Sequence, residues 1–467
     1  MKTFVFKKYE FDAKNFVAKF FYVFDGGQEF CEEIRFAKPE ESICHPELVS
    51  GSTEPKDDVD SGRSVRNEPH PAARGFQNDN AGDTAKIDEK LLDSALFLAH
   101  ILIGTSYYKT FPTRDVKIES SKIDVWQADF FDKVFQEGLS QFAYENNLTR
   151  GNMAHFQPDF NAKETAHDYD GAGILALQSG GKDSLLVAEM LVENRDEFET
   201  LYFSSHGRNH PQILDDLDAK VLVTQRKVDH ENLVQAAKKG ALNGHVPVTY
   251  ILQGLAVVQA ILLGKNAILT AVAHEGEEPR DMIDDLPINH QWSKTWAAEQ
   301  AFQTYVEKYI SPQIQIGSPL RQYSELAVSE LFVAKCWEKF GRKFSSCNLG
   351  NYMQGTDNSH LKWCGECAKC ANSWLLFAPF VAEFELRAAF VAEQDLFLKP
   401  ELFETFKGLL GIDDVPKPFE CVGEVAELRK AYHLAQDRGD YKSLPFSVPK
   451  SNFDYHEKYA HNGNLVI

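Results

Sequence analysis

The chain of 467 residues carries a formal net charge of −20, which argues against a nucleic-acid polyanion or an anionic membrane as partner unless a local basic patch exists. With 43% hydrophobic and 12% aromatic residues, it has the apolar content to bury cores in two or three domains. Eight cysteines in so long a chain do not make a disulfide scaffold, and no secretory leader or bilayer-spanning run is visible, so a cytoplasmic protein is expected.

In chain order, "TFVFKKYEF", "NFVAKFFYVF" and "EFCEEIRF" show partial apolar alternation with turn residues between them, which predicts antiparallel strands over the first 36 residues. Residues 38–83 are rich in Pro, Ser, Asp and Asn and have no apolar period, so they read as a disordered insertion. Its "CHPELVSGS" resembles a translated repeat element, which leaves Cys44 without a role. Helical spacing then predicts a helix over 87–110 and another over 126–147. Together these elements predict an N-terminal α+β domain over 1–150.

From 171 to about 350, the strand-like runs "GILALQ", "ETLYFSS", "KVLVTQ", "NAILTAV" and "QIQIGS" alternate with helix-length stretches. That rhythm predicts an α/β fold with a doubly wound parallel sheet, assigned to 171–370. After 371 the chain reads as mainly helical to about 437, followed by a polar, aromatic-bearing tail, giving a C-terminal region over 371–467.

The first of those strands runs into Ser179-Gly180-Gly181-Lys182-Asp183-Ser184, and a helical pattern follows. Two glycines let the backbone approach a ligand closely, and the free N–H groups of the first helical turn favour a phosphate. A Walker A loop would need glycine at 176 and Ser or Thr at 183, where this chain has Ala176 and Asp183. Ser-Gly-Gly-x-Asp-Ser instead resembles the PP-loop of ATP pyrophosphatases, which cleave ATP to AMP and pyrophosphate. On that reading Ser179, Gly180, Gly181 and Ser184 bind pyrophosphate, Lys182 offsets its charge, and Asp183 holds Mg²⁺ or a water on it.

"WCGECAKC" supplies Cys364, Cys367 and Cys370, and Cys347 lies upstream in "SSCNLGNY". Two-residue gaps let thiolates converge on one ion, and Gly365 permits the tight turn this needs, so a closed structural Zn²⁺ site is expected. His360 in place of Cys347, an iron–sulfur cluster, and a redox or sulfur-carrying pair at Cys364 and Cys367 are the alternatives. Cys31, Cys336 and Cys421 read as small buried apolar residues.

Beyond the turn, "GTSYYKTF" (104–111), "GHVPVTYI" (244–251), "LPINHQWSKTWAAE" (286–299), "SPLRQYSELAVSELF" (318–332), "WCGECAKCANSWLLFAPF" (363–380) and "KPFECVGEVAELRKA" (417–431) resemble the UDP-N-acetyl-α-D-muramoyl-L-alanyl-L-glutamate epimerases of bacterial peptidoglycan synthesis. The likeness runs through most of the chain except the 38–83 insertion. It implies inversion of the terminal L-Glu of a UDP-linked muramoyl dipeptide, with ATP and Mg²⁺. An α-proton beside a carboxylate is a poor acid, and adenylating that carboxylate removes the charge that opposes its loss. Acid/base candidates are His274 and Glu275 in "AVAHEGEEPRDM", and His290 and Lys294 in "NHQWSK". Arg280, Arg321 and Tyr323 are candidate carboxylate or phosphate binders. Rival readings are an amide- or nitrile-forming synthetase resembling 7-cyano-7-deazaguanine synthase, and a zinc-stabilised nucleotide-binding scaffold without turnover.

Overall fold

A computed structural model describes residues 3–39, 88–205, 210–353, 359–460 and 465. From residue 40 on, the expected insertion and its Cys44 lie outside the described residues. The N-terminal hairpins form as the alternation predicts: β1 (Thr3–Asp12), β2 (Val17–Phe24) and β3 (Glu29–Arg35) pair antiparallel in sequence. Helix α1 (Glu89–Tyr108) is capped by Asp88, whose carboxylate accepts from Lys90 and Leu91 N–H. It is long and apolar enough to cross a bilayer by composition alone, but 89% of that window is buried inside the fold. Its Gly104 lies so close to Phe6 and Tyr22 that a Cβ would collide with the Phe6 ring.

Strand β4 (Asp115–Ile118), short and without an apolar run, pairs parallel to β1. The helix expected over 126–147 is two helices, α2 (Val125–Gln136) and α3 (Ser140–Glu145). The break falls at Gly138, where a Cβ would press on Val134 O, Trp292 and Pro247, so the backbone there must pass close under the 292 segment.

The alternating region follows: β5 (Ile174–Gln178), α4 (Lys182–Asn194), β6 (Phe198–Ser205), β7 (Lys220–Lys227), α5 (His230–Lys238), α6 (Val248–Leu263) and β8 (Ala267–Leu269). The hairpin β9 (Asp281–Ile283) and β10 (Leu286–Ile288) forms a separate small sheet, and α7 (Trp296–Tyr309), β11 (Gln315–Gly317) and α8 (Glu325–Phe340) complete the region. The C-terminal part is helical: α9 (Ala368–Phe377), α10 (Glu383–Ala389), α11 (Phe403–Leu410) and α12 (Val425–Arg438).

Nine strands form one mixed sheet in the order β11-β8-β5-β6-β7-β3-β2-β1-β4, parallel from β11 to β7. Alternate strand residues enter opposite cores, with Leu175, Leu201, Leu222, Ile268 and Ile316 on one face and Ala176, Tyr202 and Leu269 on the other. Both faces are therefore covered, as a parallel sheet requires. Strand β3 joins β7 antiparallel through Ile34 opposite Arg226, so the N-terminal strands continue the same sheet. Beneath that seam Glu32 is fully buried and paired with Arg226 at 2.5 Å. The strand expected over 266–272 ends at Leu269. Beyond it, Val272 N–H bonds Ser318 Oγ and His274 N–H bonds Tyr323 O, which steers the chain along the segment after β11.

Candidate active site

The parallel strand order reverses beside β5: the chain moves outward through β6 and β7, then returns to place β8 and β11 on the other flank. Ligands of such sheets sit outside the carboxyl ends of the strands at this switch point, and Ser179–Gly181 occupies it. Gly180 has φ +76, and a Cβ there would lie 2.6 Å from Leu361 Cδ1 and 2.9 Å from Ile213 Cγ2, so only glycine fits. Ser184 Oγ donates to Gly181 O at 3.2 Å and accepts from Ser179 N–H at 3.3 Å, closing the turn. Gln178 Nε2 fastens it from below through Ser184 O at 2.6 Å. Gly181 caps α4 without a side-chain oxygen of its own, so the helix keeps an N-terminus suited to an anion.

Lys182 does not reach into solvent. Its side chain, 5% exposed, lies between Asp183 at 2.7 Å and Glu325 at 3.9 Å. Burial disfavours its charge, but Asp183, Glu325 and Glu275 more than compensate, and its pKa is raised. Glu325 is the first residue of α8 behind the Ser324 N-cap, and Glu275 arrives on the loop after β8. Glu275 faces Lys294 at 3.3 Å. Burial raises the Glu275 carboxyl, while Lys294, Lys369, Lys182 and Arg321 pull it below its usual value. In a chain of net charge −20, three lysines and three carboxylates thus meet at the carboxyl ends of β5 and β8.

The segment 420–423 lies over this cluster. Lys369, on the first turn of α9, donates to Cys421 O; Gln291 Nε2 donates to Val422 O at 2.8 Å; Gly423 N–H donates to Asn372 Oδ1 at 2.9 Å. A Cβ on Gly423 would stand 3.0 Å from Glu325 Oε2, an oxygen with no protein partner among the described residues. Cys421, expected to be an inert apolar residue, instead meets the imidazole of His290 and the charge of Lys294. Burial pushes its thiol up, but Lys294, a hydrogen bond with His290, and Lys369 outweigh this and hold it at about 6. Sequence spacing could not reveal this, because the thiol lies more than a hundred residues from His290 and Lys294 in the chain.

The other expected residues divide by position. Glu275, Lys294 and Asp183 join the cluster directly, and His290 joins through Cys421. His274 turns away to stack on Tyr459, with ring centroids 3.7 Å apart. Arg321, read as a ligand-binding guanidinium, is spent inside the fold: it bonds Ala273 O at 2.8 Å, Lys294 O at 2.9 Å and Glu299 at 3.1 Å, so it braces the loops that carry Glu275 and Lys294. Arg280 lies over the ring of Phe419, with Cζ 3.8 Å from the centroid, and the ring of Tyr323 is covered by Lys458.

Cys347, Cys364, Cys367 and Cys370 converge with their sulfurs within 4.8 Å of one another. The closest pairs stand 3.6 to 3.7 Å apart. Sulfurs about 2.3 Å from a shared tetrahedral ion would have very nearly this spacing, and a disulfide at about 2.05 Å would not. Gly350 N–H and Gly365 N–H donate to sulfurs of the group, and Gly365 has φ +69. The donor set fits a metal, with Cys347 and not the exposed His360 as fourth member.

Comparison with known proteins gives the same picture along the chain. The family model "MurL N-terminal domain" matches residues 74–318, and "MurL C-terminal domain" matches 343–457. A UDP-N-acetyl-alpha-D-muramoyl-L-alanyl-L-glutamate epimerase of Xanthomonas oryzae pv. oryzae is 30% identical over 444 residues, covering 95% of this chain and 87% of that protein. An epimerase of the same name from Salinispora tropica is 30% identical over 368 residues, 77% of each chain. A third, from a Micromonospora species, is 28% identical over 359 residues, covering 76% of this chain and 77% of its own. The turn at the switch point, the four-cysteine group and likeness over nearly the whole length lead to one conclusion: the chain belongs to the UDP-N-acetyl-α-D-muramoyl-L-alanyl-L-glutamate epimerase (MurL) family.

Proposed function

We propose that this protein inverts the terminal L-Glu of UDP-N-acetylmuramoyl-L-Ala-L-Glu to D-Glu by ATP-dependent adenylation of the glutamyl α-carboxylate. The observation that carries this reading is the Ser179–Ser184 turn, set at the switch point of a parallel sheet with its glycine at φ +76 and an uncapped helix N-terminus behind it. A carboxylate oxygen attacks the α-phosphorus of ATP, and pyrophosphate leaves toward the N–H groups of Gly180, Gly181 and the first turn of α4. Asp183, exposed enough to reach solvent, would carry Mg²⁺ or a water on it. The mixed anhydride withdraws electrons from the adjacent Cα–H, so a base can remove the proton and leave an enolate on the acyl oxygen. Reprotonation on the opposite face inverts the centre, and water then cleaves the acyl phosphate to give free carboxylate and AMP.

The lysines around the site supply the positive field that the triphosphate and the enolate need, and Glu275 and Glu325 keep those lysines in place. The four cysteines would hold structural Zn²⁺, fixing the start of α9, and with it Lys369 and Asn372, against the 420–423 segment. The free state of the described cysteines supports a reducing, cytoplasmic setting. Incubating the protein with ATP, Mg²⁺ and the UDP-linked dipeptide, then hydrolysing in acid, should yield D-Glu with AMP formed and no requirement for ammonia. Ammonia-dependent amide formation would support the synthetase reading instead. Nucleotide binding without AMP would support the scaffold.

A further inference from the structure

We propose that the cavity at the carboxyl end of β7, bounded by the end of α1, by α5 and by the loop between α5 and α6, takes the uridine diphosphate end of the UDP-linked substrate. The proposal rests on the reading above, which places the glutamyl end at the Ser179–Ser184 turn. The cavity measures about 420 Å³, and its lining includes Ser106, Lys109, Arg226, Val234, Leu242 and Asn243. That volume lies within the range of pre-formed small-molecule sites, about 300 to 1,000 Å³. Lys109 gives the cavity its sign. It follows the last turn of α1, is partly buried, and donates from Nζ to Gly244 O at 2.8 Å. Among the described residues it forms no ion pair, and burial together with the like charge of Arg226 holds its pKa down at about 8. The charge of Arg226 is already answered by Glu32 at 2.5 Å, and its Nη2 donates to Ser106 Oγ at 3.0 Å. An ammonium withdrawn from water without a carboxylate favours an anionic ligand. Val234 on α5 is 56% exposed and, with Leu242, offers the apolar surface that a base ring covers. Asn243 adds a carboxamide, which can donate to a uracil carbonyl and accept from N3–H.

Strand geometry sets the reach from this cavity to the turn. Strands β5, β6 and β7 are parallel neighbours, so their carboxyl ends face one edge of the sheet. Gln178, the last residue of β5, is level with Tyr202 and through it with Val223, and Arg226 lies three residues further along β7. Two strand spacings of about 4.8 Å and three residues of about 3.3 Å separate the two ends by about 10 Å across and about 10 Å along the strands. An extended conjugate covers that diagonal: its two peptide units reach about 7 Å, and the lactyl ether and hexose supply the remainder. Side chains connect the two ends. Asn243 lines the cavity, the ring of His245 lies 4.5 Å from that of His290, and Lys294 on the same loop as His290 meets Glu275 of the cluster at 3.3 Å. The segment bearing Asn243 is fastened to the end of α1 on both sides, by Leu242 N–H on Thr110 O at 2.9 Å and by Lys109 on Gly244 O. Recognition of the nucleotide end therefore acts on a wall that the reacting end shares.

Calorimetric titration with UDP, and separately with ATP, reads the two ends independently. The wild-type protein should bind UDP even when saturated with ATP. In Lys109→Gln, UDP binding should weaken about tenfold or more and KM for the UDP-linked dipeptide should rise alike, with ATP binding kept and kcat changed less. Lys109→Arg keeps the charge and should recover part of the affinity. Val234→Glu sets a carboxylate at the cavity from an exposed position on α5, should also weaken UDP, and decides alone if Lys109→Gln does not fold. Displacement of UDP by ATP in the wild type would assign it to the turn and overturn the proposal. Unchanged UDP affinity in the folded variants overturns it too, as does equal loss of UDP and ATP binding, which would make Lys109 a structural residue. Inorganic pyrophosphate binding as tightly as UDP would leave a bare anion site and overturn the assignment to uridine. Pyrophosphate–ATP exchange in the presence of the dipeptide separates the two claims: UDP binding that depends on Lys109 with no exchange upholds the cavity and overturns adenylation, and exchange without UDP binding overturns the cavity alone.

Discussion

Gly180 and Glu427 show how single residues set the properties of this site. Gly180→Ala would force a Cβ into the left-handed region, at about 1 to 2 kcal/mol, and press it against Leu361 and Ile213. The turn must then shift, and on the proposed adenylation reading pyrophosphate–ATP exchange should fall at least roughly tenfold, the equivalent of about 1.4 kcal/mol. Unchanged exchange would remove the turn from the account. Glu427, on α12, accepts Leu326 N–H at 2.6 Å at the start of α8. Burial, then the neighbouring Glu325 and Glu424, raise its carboxyl to about 8. A raised acid is protonated in the folded state while the unfolded chain is ionised, so its stabilising contribution is full below pH about 4.5 and is lost as pH rises through about 8. Glu427→Gln keeps the hydrogen bond and removes the titration. Thermal melts should show the variant gaining on the wild type as pH rises from about 4.5 to about 8, and parallel curves would refute the assignment.

At the scale of elements, the four-cysteine group ties the segment around Cys347 to the start of α9. Cys347→Ser should lower bound zinc measured by atomic absorption and lower the melting temperature. It should also weaken deuterium exchange more than ATP binding, because Lys369 and Asn372 on α9 hold the 420–423 segment over the cluster. Equal zinc content in the variant would contradict the ligand set. Much of this scale was legible beforehand. The β5 to α4 junction announces itself because glycines, a helical apolar period and a strand run are all local signals, and the cysteine spacing is local too. The division of 126–147 into α2 and α3 was not, since what breaks the helix is Trp292 and Pro247 packing on Gly138 from far along the chain. For the same reason Arg321 read as a candidate carboxylate or phosphate binder, although its three partners are supplied by tertiary contact within the fold, and Cys421 read as a small buried apolar residue.

Across the whole molecule, the antiparallel N-terminal strands and the parallel strands share one sheet, joined where β3 meets β7. Beneath the seam Tyr107 Oη also donates to Glu32 at 2.7 Å and Arg226 donates to Ser106 Oγ at 3.0 Å, both partners coming from α1. Glu32→Ala would strand a buried guanidinium and should cost about 3 to 5 kcal/mol in denaturant unfolding. A loss of only a few tenths would mean the seam does not couple the two halves. The joined sheet carries both the switch point at β5 and the loop after β8, so the groups these two segments supply share one base. The most direct measurement follows the fate of the glutamyl α-carbon: the protein is given the UDP-linked L-Ala-L-Glu substrate and Mg²⁺ in heavy water, with and without ATP. The account predicts that deuterium enters the glutamyl α-carbon and D-Glu accumulates only with ATP, alongside AMP and pyrophosphate. Inversion without ATP, or ATP cleavage with the α-hydrogen retained, would contradict it.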